Sequence, residues 1–74
     1  MWYIKKYNET GKETFLNKKE KWTPKATGNN RNRRVEWHRS LLKFEIQKKA
    51  KQFLSEWLET HRIRGRVITT NGIF

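Results

Sequence analysis

Apolar and polar positions alternate at the start of the chain. Over residues 2–7, Trp2 and Ile4 fall on one side of an extended backbone and Tyr3, Lys5 and Tyr7 on the other, the period of two that marks a strand. Asn8-Glu9-Thr10-Gly11-Lys12 supplies a turn with a glycine for positive φ, and residues 13–17, with Phe15 and Leu16, complete a hairpin. Two strands alone are marginal in water, so the apolar side of the hairpin must lie against another element. The period then changes. Ile46, Ala50, Phe53, Leu54, Trp57 and Leu58 recur at spacings of three and four and form one stripe, with Lys48, Lys49, Lys51 and Glu56 elsewhere, which predicts an amphipathic helix over about 45–60. Arg64-Gly65 breaks that pattern, and the β character of residues 66–70 predicts a strand that rejoins the sheet. Residues 71–74, Asn-Gly-Ile-Phe, end the chain as a turn with an apolar tip.

The middle of the chain is less regular. Lys18, Lys19, Lys21 and Lys25 surround Trp22, and the single Pro24 with the polar run to Arg34 predicts an exposed basic loop over about 24–34. Residues 35–44 fit two periods. As a strand, Val35, Trp37 and Leu41 share one face while Leu42 and Phe44 share the other; as a helix, Trp37, Leu41 and Phe44 fall opposite the stripe. A strand running into the helix is preferred, because the helical alternative leaves three large apolar side chains in water. The expectation is an α+β fold: one domain over 1–74, with a small antiparallel sheet (the N-terminal hairpin plus one or two further strands) packed on one helix.

Composition narrows the function classes. With 74 residues and no cysteine, the chain has a thin core and no disulfide to hold it. His38 and His61 lack the spacing of a zinc site, so neither a metal nor a cofactor is expected. Packing falls to four Trp, four Phe and two Tyr, rings that bury about 150–250 Å² each. No stretch approaches the roughly 20 apolar residues of a membrane span, and residues 1–6 lack the charge-then-apolar order of a signal peptide, so a cytoplasmic location is expected. Eighteen Lys and Arg stand against seven acidic residues, all Glu, for a formal charge of +11. Solubility alone is met by a net charge of about 2–8 in a small domain. The excess points to a polyanionic partner.

The aromatic Phe44, Ala50 six residues on and then Phe53-Leu54, downstream of a Tyr-rich hairpin and the Lys21-Trp22 pair, resemble the short ββ-βα modules of small tailed-phage proteins. They resemble more faintly the hybrid-binding domain at the N-terminus of some ribonucleases H. The resemblance implies a phage origin, hence a host-cell cytoplasm, and a compact α+β fold. It assigns no activity and carries over no binding residue.

Catalysis has little support, for there is no nucleophile motif, Gly-rich phosphate loop or metal-ligand spacing. Glu36 and His38, two apart, read better as charge balance than as a nuclease pair, and His61 suits a helix C-terminus. No enzyme is expected. The basic clusters say more. Arg31, Arg33, Arg34 and Arg39 bring guanidinium forks suited to phosphate; Arg62, Arg64 and Arg66 would line one side of an extended segment; Lys48, Lys49 and Lys51 project from the helix and Lys18, Lys19 and Lys21 from the first loop, and if the four groups converge they form one basic surface. Trp22 and Trp37, each near basic residues, are candidates for stacking on bases, although core packing is the commoner use of such rings. The reading is a non-catalytic nucleic-acid-binding protein, DNA or RNA, that grips phosphates with little base readout. The alternative is a phage-encoded protein that binds and inhibits or redirects an acidic host protein, such as a nucleic-acid enzyme or defence component.

Overall fold

A computed structural model describes residues 1–63 and 66–72. Four strands and two helices follow in the order β1 (Trp2–Tyr7), β2 (Glu13–Leu16), β3 (Trp22–Pro24), α1 (Arg31–Ser40), α2 (Gln47–Thr60) and β4 (Val67–Asn71). The strands form one antiparallel sheet in the order β3-β2-β1-β4. The expected hairpin is β1–β2, with Lys5 opposite Phe15 and Tyr7 opposite Glu13. The C-terminal strand rejoins the sheet beside β1, Ile4 opposite Thr69. Both outer strands are short, and Pro24, which cannot donate to a ladder, sits on the outer strand β3.

Two turns of the same construction join the first three strands. The Asn8 side chain accepts from the backbone N–H groups of Thr10 and Lys12 (3.0 and 2.8 Å), and the Asn17 side chain accepts from those of Lys19 and Lys21 (3.0 and 2.9 Å). Each turn places its fourth residue in the left-handed region. Gly11 does so without a Cβ to clash, whereas Glu20 takes φ 58° in the second turn.

Neighbouring side chains on a strand point to opposite faces, and both faces of this sheet are buried near its centre. Tyr3 and Phe15 pack with Leu41 and Trp37 on one face. On the other, Ile4 and Leu16 pack with Trp57 from α2, and Phe53, Leu54, Phe44 and Trp22 join them. The helices therefore cover opposite faces. From α2, Ala50 and Trp57 are buried and Phe53 and Leu54 half-buried, while Leu58 and Ile46, the remaining members of the stripe, stay exposed. Ile46 precedes the helix without a side-chain cap, consistent with packing rather than capping holding this helix.

Residues 35–44 depart from expectation. A helix, not a strand, spans Arg31–Ser40, so the described residues hold two helices and the basic loop is confined to 25–30. The Asn30 side chain caps α1 by accepting from the N–H groups of Asn32 and Arg33 (3.1 and 3.3 Å). The objection to a helix is the exposure of Trp37, Leu41 and Phe44. It is removed by the second buried face of the sheet, which takes Trp37, and by the end of α1 at Ser40, which leaves Leu41 and Phe44 outside the helix. These two lie in an extended connection between the start of β1 and the end of β2. Trp2 and Phe44 exchange backbone bonds of 2.7 and 2.9 Å, Leu42 N–H donates to the Leu16 carbonyl at 3.1 Å, and Lys18 N–H to the Ser40 carbonyl at 2.8 Å. Within that connection the alternation holds: Leu41 is buried on the α1 face, Leu42 and Phe44 pack on the α2 face.

Among the described residues no helix is long and apolar enough to cross a membrane.

A candidate anion-binding groove along the first helix

The residues of α1 carry almost none of the core. Every side chain from Arg31 to Glu36 is exposed, as are Arg39 and Ser40; Trp37 and His38 alone are half-buried against the sheet. The helix is held at its C-terminal end, by Trp37 edge-on to Phe15 at 5.5 Å between ring centroids and by a 2.8 Å hydrogen bond between the Tyr3 hydroxyl and His38 Nε2. Its N-terminal half stands clear, and a groove of about 550 Å³ runs along its flank towards the 25–30 loop. Lys25, Arg31, Arg34 and Arg39 line the groove together with Val35, Trp37, His38 and Ala26. Among the described residues no carboxylate lines it.

At the C-terminal end of α1 a second group of cations gathers. The backbone pairing of Asn17 with Leu41 brings Lys18 to Lys43 and Arg39. Burial, and then the positive charges of Lys18 and Arg39, hold the Lys43 ammonium below its usual pKa. Burial, and then Lys43, lower the pKa of His38. Like charges held together raise the energy of the free protein until an anion neutralises them. Among the described residues the one ion pair is Lys5 with Glu13, at 3.4 Å, on the β1–β2 hairpin.

His38 makes the fold sensitive to pH in a defined direction. Its folded pKa lies below its unfolded value, so at low pH the unfolded chain binds the extra proton more readily. Its contribution to stability is present above about pH 6.5 and is lost as pH falls through the lower folded value. The thermal midpoint is expected to drop between about pH 7 and pH 5.5, and His38→Gln to flatten that slope. An equal slope in the variant would place the effect elsewhere.

The residues singled out in the sequence divide between the two faces. Arg31, Arg33, Arg34 and Arg39 all belong to α1, and three of the four line the groove. Lys48 and Lys51 lie exposed on α2, which covers the opposite face, in company with Glu56 and Glu59. Arg62 and Arg66 are exposed between α2 and β4; Arg64 lies outside the described residues, as do Ile73 and Phe74 of the expected apolar tip. The α1 arginines and the α2 lysines therefore lie on opposite faces of the sheet and do not merge into one surface. Trp37 lines the groove. Trp22 sits in the layer under α2, its ring 5.7 Å from and perpendicular to that of Trp57, with the Lys6 ammonium 4.8 Å from its centroid. The sequence offers Lys18 as one of the basic groups, and gives no sign that Lys25 and Lys43 join it at the site. Lys18 and Lys43 are joined only by tertiary backbone pairing, which leaves no periodic signal.

The described residues hold no group of three or more His, Cys, Asp or Glu side chains able to bind a metal ion. The chain matches no protein-family model, and comparisons with curated proteins and with solved structures gave no match.

Proposed function

We propose that this chain is a non-catalytic nucleic-acid-binding protein that holds the phosphate backbone along α1. The observation that carries the reading is the separation of charge: Lys25, Arg31, Arg34 and Arg39 line a groove that, among the described residues, has no carboxylate, and Lys18 and Lys43 extend the cationic tract past the end of the helix. Guanidinium groups on one helix flank suit a polymer with regularly spaced anions, each offering a planar fork to two phosphate oxygens. Charged-group contacts of this kind supply affinity and orientation without reading sequence.

The test compares charge removal on the two faces. Arg31 and Arg34 are exposed, so Arg31→Ala/Arg34→Ala is expected to leave the fold intact. It is expected to weaken binding of a labelled oligonucleotide about 30-fold, taking roughly 1 kcal/mol, the upper figure for an exposed ion pair, for each of the two guanidinium groups removed. Lys48→Ala/Lys51→Ala, on the other face, is expected to change it by less than about threefold. Equal effects of the two double substitutions would mean diffuse charge attraction rather than a site. If an acidic polypeptide displaces the oligonucleotide at equal charge concentration, the preferred partner is an acidic protein and the reading fails.

A further inference from the structure

The groove is not uniformly polar. Between its cations, Val35, Trp37 and Ala26 present hydrocarbon, and Val35 leaves 40% of its surface in water in a chain with few aliphatic side chains. A phosphate backbone alone has no use for such a wall. At about 550 Å³ the groove also falls within the range of roughly 300–1,000 Å³ typical of sites that enclose a small organic ligand.

Building on the nucleic-acid reading above, we propose that the groove takes one unpaired nucleotide of a single strand, its base against Val35 and Trp37 and the strand's phosphates on either side of it along Lys25, Arg31, Arg34 and Arg39. The two match in both charge and polarity. An unpaired nucleotide presents an uncharged, flat, largely apolar ring with a negative group on either side. The groove presents an apolar wall with positive groups around it. A duplex does not meet this requirement, because its bases are already stacked and paired and only its phosphates and groove edges face outward. Every base has an apolar face, so contact of this kind tolerates any sequence. The position of Trp37 fits the role, since its packing on Phe15 fixes the ring while the same side chain lines the groove.

The contribution of the base can be separated from that of the phosphates by removing bases and leaving the backbone. Binding of the full chain to a labelled mixed-sequence single strand of about twelve nucleotides is compared with binding to a strand of the same length built from abasic units. The normal strand is expected to bind at least about fivefold more tightly, the lower end of what one stacked base contributes. Val35→Ser, at an exposed position that the core does not need, is expected to shrink this ratio while leaving the abasic affinity within about twofold of wild type. Equal affinity for the two strands would overturn the nucleotide site and leave phosphate binding standing. An unchanged ratio in Val35→Ser would also overturn it, by placing the base elsewhere. If neither strand nor a duplex binds, it is the nucleic-acid reading itself that has failed.

Discussion

Raising monovalent salt from about 50 to about 200 mM is expected to weaken the binding of nucleic acid by roughly 300-fold for a single strand and 2,000-fold for a duplex. The figure follows from the groove. Lys18, Lys25, Arg31, Arg34, Arg39 and Lys43 form the tract on the α1 side, and six neutralised phosphates give slopes of about −4 and −5 in log K against log salt for the two polymers. The geometry adds a second dependence. Lys43 is held below its usual pKa by burial and by the charges of Lys18 and Arg39, so salt also relieves repulsion in the free protein and reduces what a bound anion gains there. Measured slopes close to zero would show that few phosphates are bound and that the charge serves another purpose. Slopes steeper than about −8 would require the α2 lysines as well, and with them a polymer that wraps both faces.

Strands β1, β2 and β4 and helix α2 were legible from the period of their apolar residues, whereas the three residues of β3 read as part of a basic stretch running into a loop. Tyr3 and Ile4, Phe15 and Leu16, and Ala50 through Trp57 sit where alternation and helical spacing put them. What escaped was whatever depended on the second face of the sheet. A hairpin is expected to bury one side, yet Tyr3 and Ile4 are both buried. Once the Tyr3 side is a core, Trp37 has a place to go and a helix becomes possible where a strand is preferred on pattern alone. No stripe announces α1, because it contributes no fully buried residue. Its one local signal is Asn30 at the cap, which lies within a run that reads as loop. The turn before β3 escaped for a different reason: it repeats the hydrogen bonding of the Asn8 turn around Asn17, but Glu20 occupies the left-handed position that Gly11 fills in the first.

The site divides in the same way. The arginines of 31–39 are visible as a cluster, and the placing of Arg31, Arg34 and Arg39 along one helix flank follows once α1 exists. Their meeting with Lys25, and the meeting of Lys18 with Lys43, is a property of the fold alone. So is the separation of Lys48 and Lys51 from them, since the sequence shows how many charges there are and not on which side of a sheet each helix lies. That separation bears on the proposed mechanism. A surface basic on all sides would collect polyanions without orientation, whereas a helix flank with an apolar wall and, among the described residues, no carboxylate would fix where a bound strand lies.

Leu41 connects these arrangements, and Leu41→Ala is expected to destabilise the protein by about 2–5 kcal/mol. The side chain is fully buried beside Tyr3, Phe15 and Trp37, at the junction where α1 ends and the chain enters the sheet. Chains of this length have total stabilities of about 4–11 kcal/mol on the usual per-residue range, so this is a large share of the whole. Because α1 is held by Trp37, His38 and the pairing of Leu41 with Asn17, the first consequence is release of that helix. Urea unfolding followed by circular dichroism is expected to show the lower midpoint, and limited proteolysis to cut first within 25–40. Leu58→Ala is the control: this leucine of α2 is 41% exposed, and its removal is expected to cost no more than about 0.5 kcal/mol. Nucleic-acid affinity should fall with Leu41→Ala, because the groove loses one wall when α1 leaves the sheet, and remain unchanged with Leu58→Ala. A Leu41→Ala protein that unfolds at the wild-type urea concentration would mean that the Tyr3–Phe15 face is not a core, and the groove argued from it would go too.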